Sequence, residues 1–165
     1  MMPGQPSRAY DDGTSITIAQ EVPVKTLSDV LRTKGSVVYS IRPTDNVHDA
    51  VTVMDDKGVG ALLVTTDEGV AGILSERDVA RKITLTGKVA RQTAAAEIMT
   101  ERVKCVEPDC TIHEAMQLMT ELRVRHLPVV RGKQVLGVVS IGDLVKAIID
   151  DQQFTIEQLQ NYITS

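Results

Sequence analysis

The chain has 165 residues, enough for one compact domain or two small ones sharing a core. A net charge of −4 argues against a broad face for duplex nucleic acid, and the absence of Trp with a single Phe argues against stacking platforms for single strands. No apolar run reaches the ~18 residues of a membrane span, the first residues lack the order of a signal peptide, and the two cysteines have no CxxC spacing, so a cytoplasmic protein with free thiols is expected.

Residues 1–26 read as irregular by composition. SVVYSIRP is a short strand-like lead that ends at Pro43. Asn46 and Asp49 are spaced as an N-cap and its acidic N3 partner, and Ala50, Val51 and Met54 follow at helical spacing. Gly58 is placed to end that helix. VGALLVT reads as a buried strand, DEG as a turn, VAGILS as a return strand and ERDVARKI as the start of a second helix. Residues 84–97 read as a linker with a Gly87-Lys88 turn. The series then restarts: RVKCVEP, a helix opened by Thr111-x-x-Glu114, the strands VRHLPVV and VLGVVS, and a helix from IGDLVKAII. Residues 150–165 read as an appended amphipathic helix. Phe154, Ile156, Leu159, Tyr162 and Ile163 would dock on its own domain or on a second subunit.

The restart is a true internal repeat. Written over itself at an offset of 65 residues, the chain aligns from Pro43/Pro108 to Asp78/Asp143 without a gap. His48/His113, Met54/Met119, Gly72/Gly137 and Ser75/Ser140 are identical pairs. Two β-α-β-β-α units follow, residues 27–83 and 98–149, an α/β chain of the α+β kind. Each unit exposes an apolar sheet face, so the two are expected to pack back to back through their sheets.

This tandem unit, with VRHLPVV and a closing Gly-h-h-Ser-x-x-Asp in each copy (h, apolar), resembles a pair of CBS domains, a Bateman module, over about residues 27–149. The lone module with its helical tail is similar to small stand-alone bacterial proteins of that family. The resemblance implies regulation through adenine-containing ligands. AMP leads, with ADP, ATP, NAD(H) or S-adenosylmethionine as further members and no metal required. It also implies a disc-like homodimer of four repeats that modulates a partner protein.

The candidate site residues follow from both sources. Ser75 and Ser140 sit where a strand meets a helix, so each can cap the helix or face a phosphate. Asp78 and Asp143, three residues on, are suited to accept from a ribose diol, and the resemblance implies the same role. Arg77 is expected to serve the phosphate of the first pocket. Gly142 stands in its place in the second copy, which relies instead on Arg125 and His126, the counterparts of Gly60 and Ala61. By resemblance the lead strands (residues 39–41, with Ile41, and 104–106, with Lys104 and Val106) and residues 60–62 and 126–128 border the base. Pro128 removes one backbone donor there. Two related but unequal pockets are expected.

Two other functional classes stay open at this level. One is a partner-binding or structural protein with empty pockets. The other is an enzyme, but Gly58-Val59-Gly60 lacks a third glycine, Gly87-Lys88 and Gly132-Lys133 lack a Walker frame, and Asp143 would crowd Ser140 rather than orient His126. His48 and His113 have no partners at ligand spacing and read as surface residues.

Overall fold

The computed structural model describes residues 25–164. The irregular reading of the N-terminal segment therefore lies outside the described residues, except at Lys25 and Thr26. Nine helical and strand elements belong to the two repeats, and two short helices dock them together. In the first half, β1 (Ser40–Ile41), α2 (Val47–Lys57), β2 (Ala61–Thr66), β3 (Gly69–Ser75) and α3 (Glu76–Val79) run in that order, and a π-helical turn, Ala80–Thr84, continues α3. The second half has α5 (Ile112–Leu122), β4 (His126–Arg131), β5 (Gln134–Ser140) and α6 (Ile141–Thr164). Helices α1 (Leu27–Lys34) and α4 (Ala95–Ile98) precede the halves.

The repeat holds in the backbone. Ala61 pairs with Ser75 and His126 with Ser140, and both hairpins break register at the same place, Val64/Thr65 and Val129/Val130. The caps form as their residues demand. Asn46 Oδ1 accepts from Asp49 N at 2.8 Å, and Thr111 Oγ1 from Glu114 N at 3.1 Å. Gly58 closes α2 at φ 64°, whereas its counterpart Arg123 closes α5 at φ 56°, the left-handed region where a side chain costs energy.

One difference between the halves traces to a proline. Leu63 N donates to Tyr39 O at 3.2 Å, which anchors β1 beside β2 in parallel. The equivalent residues are Pro128 and Lys104, and proline has no N–H to give. The expected second lead strand therefore shrinks to a single bridge, Val106 to Val129.

The buried residues form two clusters, each completed by a segment from beyond its own repeat. Leu27, Val30 and Leu31 of α1 are buried with Ile112, Met119, Leu127 and Val139 of the second half. Ala95 and Ile98 of α4 are buried with Val47, Met54, Leu62 and Leu74 of the first. The docking bonds correspond. Leu27 N donates to Cys110 O at 2.9 Å, and Ala95 N to Asp45 O at 2.7 Å. Residues 84–97, read from composition as a linker, thus carry core side chains.

The C-terminal helix is not a separate appendix. With no Gly or Pro near Asp150-Asp151, α6 runs unbroken for 24 residues. Its far end does not return to its own domain: residues 152–164 are exposed, Phe154 and Leu159 each by more than half. Among the described residues no helix is long and apolar enough to cross a membrane.

Candidate functional site

A cavity of about 750 Å³ opens between the two halves. That is within the range of small-molecule sites. Its wall holds Gly60, Ser75, Arg77 and Asp78 from the first repeat and Lys104, Arg125 and His126 from the second. Ile73, Val103, Val124 and Leu127 give it an apolar side.

Arg77, expected at one pocket, and Arg125 and His126, expected at another, lie on the wall of the same cavity. The gap left by Gly60 is filled by the second repeat, since a Cβ there would stand 3.4 Å from His126 Nε2. Arg77 Nη1 donates to Arg123 O at 3.1 Å, a further link between the halves. Ile41, Ala61, Val106, Pro128, Ser140 and Asp143 are not on the cavity wall. Ile41 and Val106 are core residues of their own halves. Pro128 contributes indirectly: it leaves the carbonyl of the wall residue Lys104 without the bond that Leu63 gives Tyr39.

The Ser75-Asp78 corner is a reciprocal cap. Ser75 N and Oγ donate to Asp78 Oδ2 at 3.0 and 2.9 Å, and Asp78 N donates to Ser75 Oγ at 3.2 Å. Glu76 N is spent on Gly60 O. Most corner N–H groups are therefore in use, so the helix end has few left to offer an anion. Asp78 Oδ1 is the looser oxygen. Its partners are two side chains that can turn away, Lys82 at 3.2 Å and Thr100 at 3.3 Å.

The Ser140-Asp143 corner repeats the cap and adds an ion pair. Lys34, the last residue of α1, donates to Asp143 Oδ2 at 2.5 Å and to Val138 O at 2.6 Å. Two full turns of α1 carry it there; at the first corner Thr100, just beyond the four-residue α4, reaches Asp78 Oδ1 instead. Burial alone would raise the Asp143 carboxyl, but the Lys34 ammonium and Ser140 N–H outweigh it and hold it below its usual range. His126 is pushed down, first by its burial and then by Lys34, with Arg125 adding to this and Asp143 opposing it; it is neutral at pH 7.

A depressed carboxyl gives stability that is present above its unfolded pKa, ~3.9, and is lost as pH falls through the lower folded value. In Lys34→Met the main lowering influence is gone and burial remains. Urea denaturation from pH 7 to 3 should then show lower stability at pH 7 and a flatter loss between pH 5 and 3 than in the parent. Parallel pH profiles would show that the Lys34–Asp143 pair contributes nothing.

Several wall residues escape a reading of motifs, namely Arg81, Lys82, Thr100, Arg102 and Arg123. Arg123 had a visible signal, an arginine where the aligned copy has a C-cap glycine. Lys34 had none, because α1 lies outside the aligned repeat.

Residues 27–85 and 95–150 each match the family model for the CBS domain. The chain belongs to the CBS-domain family. Its CBS pair is 38% identical to the mitochondrial CBS domain-containing protein CBSX3 of Arabidopsis thaliana, over 96% of this chain and 78% of that protein. A solved CBS-domain protein from Burkholderia ambifaria, described as a putative signal-transduction protein, superposes with a TM-score of 0.75 at 47% identity, over 80% of this chain and 99% of that one. The CBS pair of protein MJ0100 was solved with 5′-methylthioadenosine and S-adenosylmethionine. It shares the fold, with a TM-score of 0.70 over 78% of this chain and 99% of that one, at 19% identity.

Proposed function

We propose that this CBS pair binds one adenine nucleotide per chain in the inter-repeat cavity and signals its occupancy to a partner protein. The observation that carries the reading is the composition of that one cavity wall. The Ser75-Asp78 corner, an apolar side and Lys104 meet there. In this reading Asp78 Oδ1 accepts from the ribose diol, and Lys82 turns to the phosphate. The adenine ring lies against Ile73, Val103 and Val124, and its exocyclic amine donates to the Lys104 carbonyl. The solved relative with two adenosine derivatives supports the ligand class.

The site is built for binding rather than turnover. Ser75 Oγ donates to a carboxylate and has no imidazole behind it. Burial pushes the Cys105 thiol up, away from the thiolate a nucleophile needs. Because the wall comes from both halves, a ligand can bias how they pack, which is the differential affinity that coupling requires. The exposed apolar end of α6 fits a second copy of the chain, consistent with a homodimer of four repeats.

The test is thermal unfolding of the full chain with adenosine, AMP, ADP, ATP, NAD, NADH and S-adenosylmethionine. A ligand at 100 times its Kd should stabilise by about 2.7 kcal/mol. No shift with any of them would overturn the sensor reading in favour of a purely partner-binding protein.

A further inference from the structure

Seven of the chain's eighteen Lys and Arg residues line this inter-repeat cavity, against two carboxylates, Glu76 and Asp78. The whole chain is acidic, with net charge −4. Lys82 is neutralised by Asp78. Among the described residues, none of Arg77, Arg81, Arg102, Lys104, Arg123 and Arg125 makes an ion pair with a carboxylate. Six uncompensated cations around one concave wall repel one another, and the low-dielectric walls concentrate their field on whatever enters.

Arg123 adds an independent observation. It holds φ 56° at a helix C-cap, where the aligned position in the first repeat is Gly58 at φ 64°. Glycine takes that conformation freely and arginine does not. A strained arginine at the mouth of a cationic cavity points to a guanidinium kept for its charge. Its carbonyl also holds Arg77 in place, at 3.1 Å.

From these two observations we infer that the cavity selects for a chain of phosphates: it takes adenosine di- or triphosphate in preference to AMP, and disfavours the sulfonium ligand S-adenosylmethionine. The inference rests on the nucleotide reading above and adds the charge class. The α-phosphate lies near Ser75 and Lys82, and the distal phosphates reach the Arg77, Arg123 and Arg125 guanidinium groups, which can bind oxygens in pairs. Glu76 and Asp78 stay at the nucleoside end.

The test is calorimetric titration of the full chain with adenosine, AMP, ADP, ATP, S-adenosylmethionine and inorganic triphosphate, at low and high salt, for the parent and Arg123→Gly. Affinity is expected to rise about tenfold with each phosphate beyond the first. The rise should collapse in high salt. Arg123→Gly should weaken ATP about tenfold, leave AMP nearly unchanged and melt no lower than the parent, since the strain is relieved. A merely structural Arg123 would give the same ATP affinity in both proteins and overturn its assigned part. AMP binding as tightly as ATP, or S-adenosylmethionine binding more tightly, would overturn the charge inference and leave the nucleotide reading standing. Inorganic triphosphate binding as tightly as ATP would do the reverse, keeping the charge inference and removing the adenine.

Discussion

Replacing Gly72 with alanine should destabilise the protein by about 3 kcal/mol, at the upper end of what overpacking costs. The glycine is there for space, not for backbone freedom. A Cβ at residue 72 would stand 2.7 Å from Met99 Sδ and 2.8 Å from the Thr100 carbonyl oxygen. Sulfur on a flexible side chain can move; the carbonyl cannot. Thr100 is tied to β3 by Ile73 N to Thr100 O at 3.0 Å and Thr100 N to Ile73 O at 2.9 Å. Relief therefore requires breaking that bridge, which also shifts the Thr100 hydroxyl off Asp78. Gly137, the same residue of the second copy, is a milder case. Its Cβ would meet Leu31 Cδ2 at 2.6 Å, the end of a side chain that can change rotamer. Gly137→Ala should cost about 1 to 2 kcal/mol. Urea unfolding of the two variants checks the ranking, and equal losses would contradict this account of Gly72.

The second large effect is on binding. Asp78→Asn should weaken adenine nucleotides by about 10- to 100-fold, while Asp143→Asn leaves them within a factor of about three. Asparagine keeps one acceptor oxygen for the Ser75 N–H, so the cap survives in either variant. What it loses is the second carboxylate oxygen and the charge that receive the ribose hydroxyls. At residue 143 the Lys34 ammonium shares Oδ2 with the Ser140 N–H and the corner is not on the cavity wall, so the same change there costs stability and not affinity. Equal losses of affinity in the two variants would show that both corners hold nucleotide.

The duplicated motif hid this inequality. Sequence made the repeat, the β-α-β-β-α order and the caps at Asn46 and Thr111 legible, because each is a local pattern of spacing and capping chemistry. Which half a leading helix packs against is not local. Leu27, Val30 and Leu31 have the helical spacing of a buried face, but nothing near them says that the face belongs to the second repeat. That docking decides the site. It brings Lys34 onto Asp143, while Ser75 and Asp78 lie on the wall of a cavity lined by both copies. The Ala-rich stretch before Met99 was misleading in the same way. Its small residues suggest a linker, whereas Ala95 and Ile98 are buried because close packing of α4 on the first half requires small side chains. Residues 150–165 read as a separate appended helix, although neither Asp150 nor Asp151 can stop the helix that begins at Ile141.

The comparison of Gly60 with His126 is the clearest case of what alignment within one chain misses. Position by position the first copy has space where the second has a ring, which suggested pockets of different shape. In three dimensions the ring enters the space, and a cavity forms around the contact. Gly60, Arg125 and His126 therefore share one cavity wall.

Calorimetric titration of the full chain with ADP tests that central claim most directly. One inter-repeat cavity, with Lys34 paired to Asp143 at the other corner, predicts saturation at one nucleotide per chain. Saturation at two per chain, or no heat of binding at all, would contradict it.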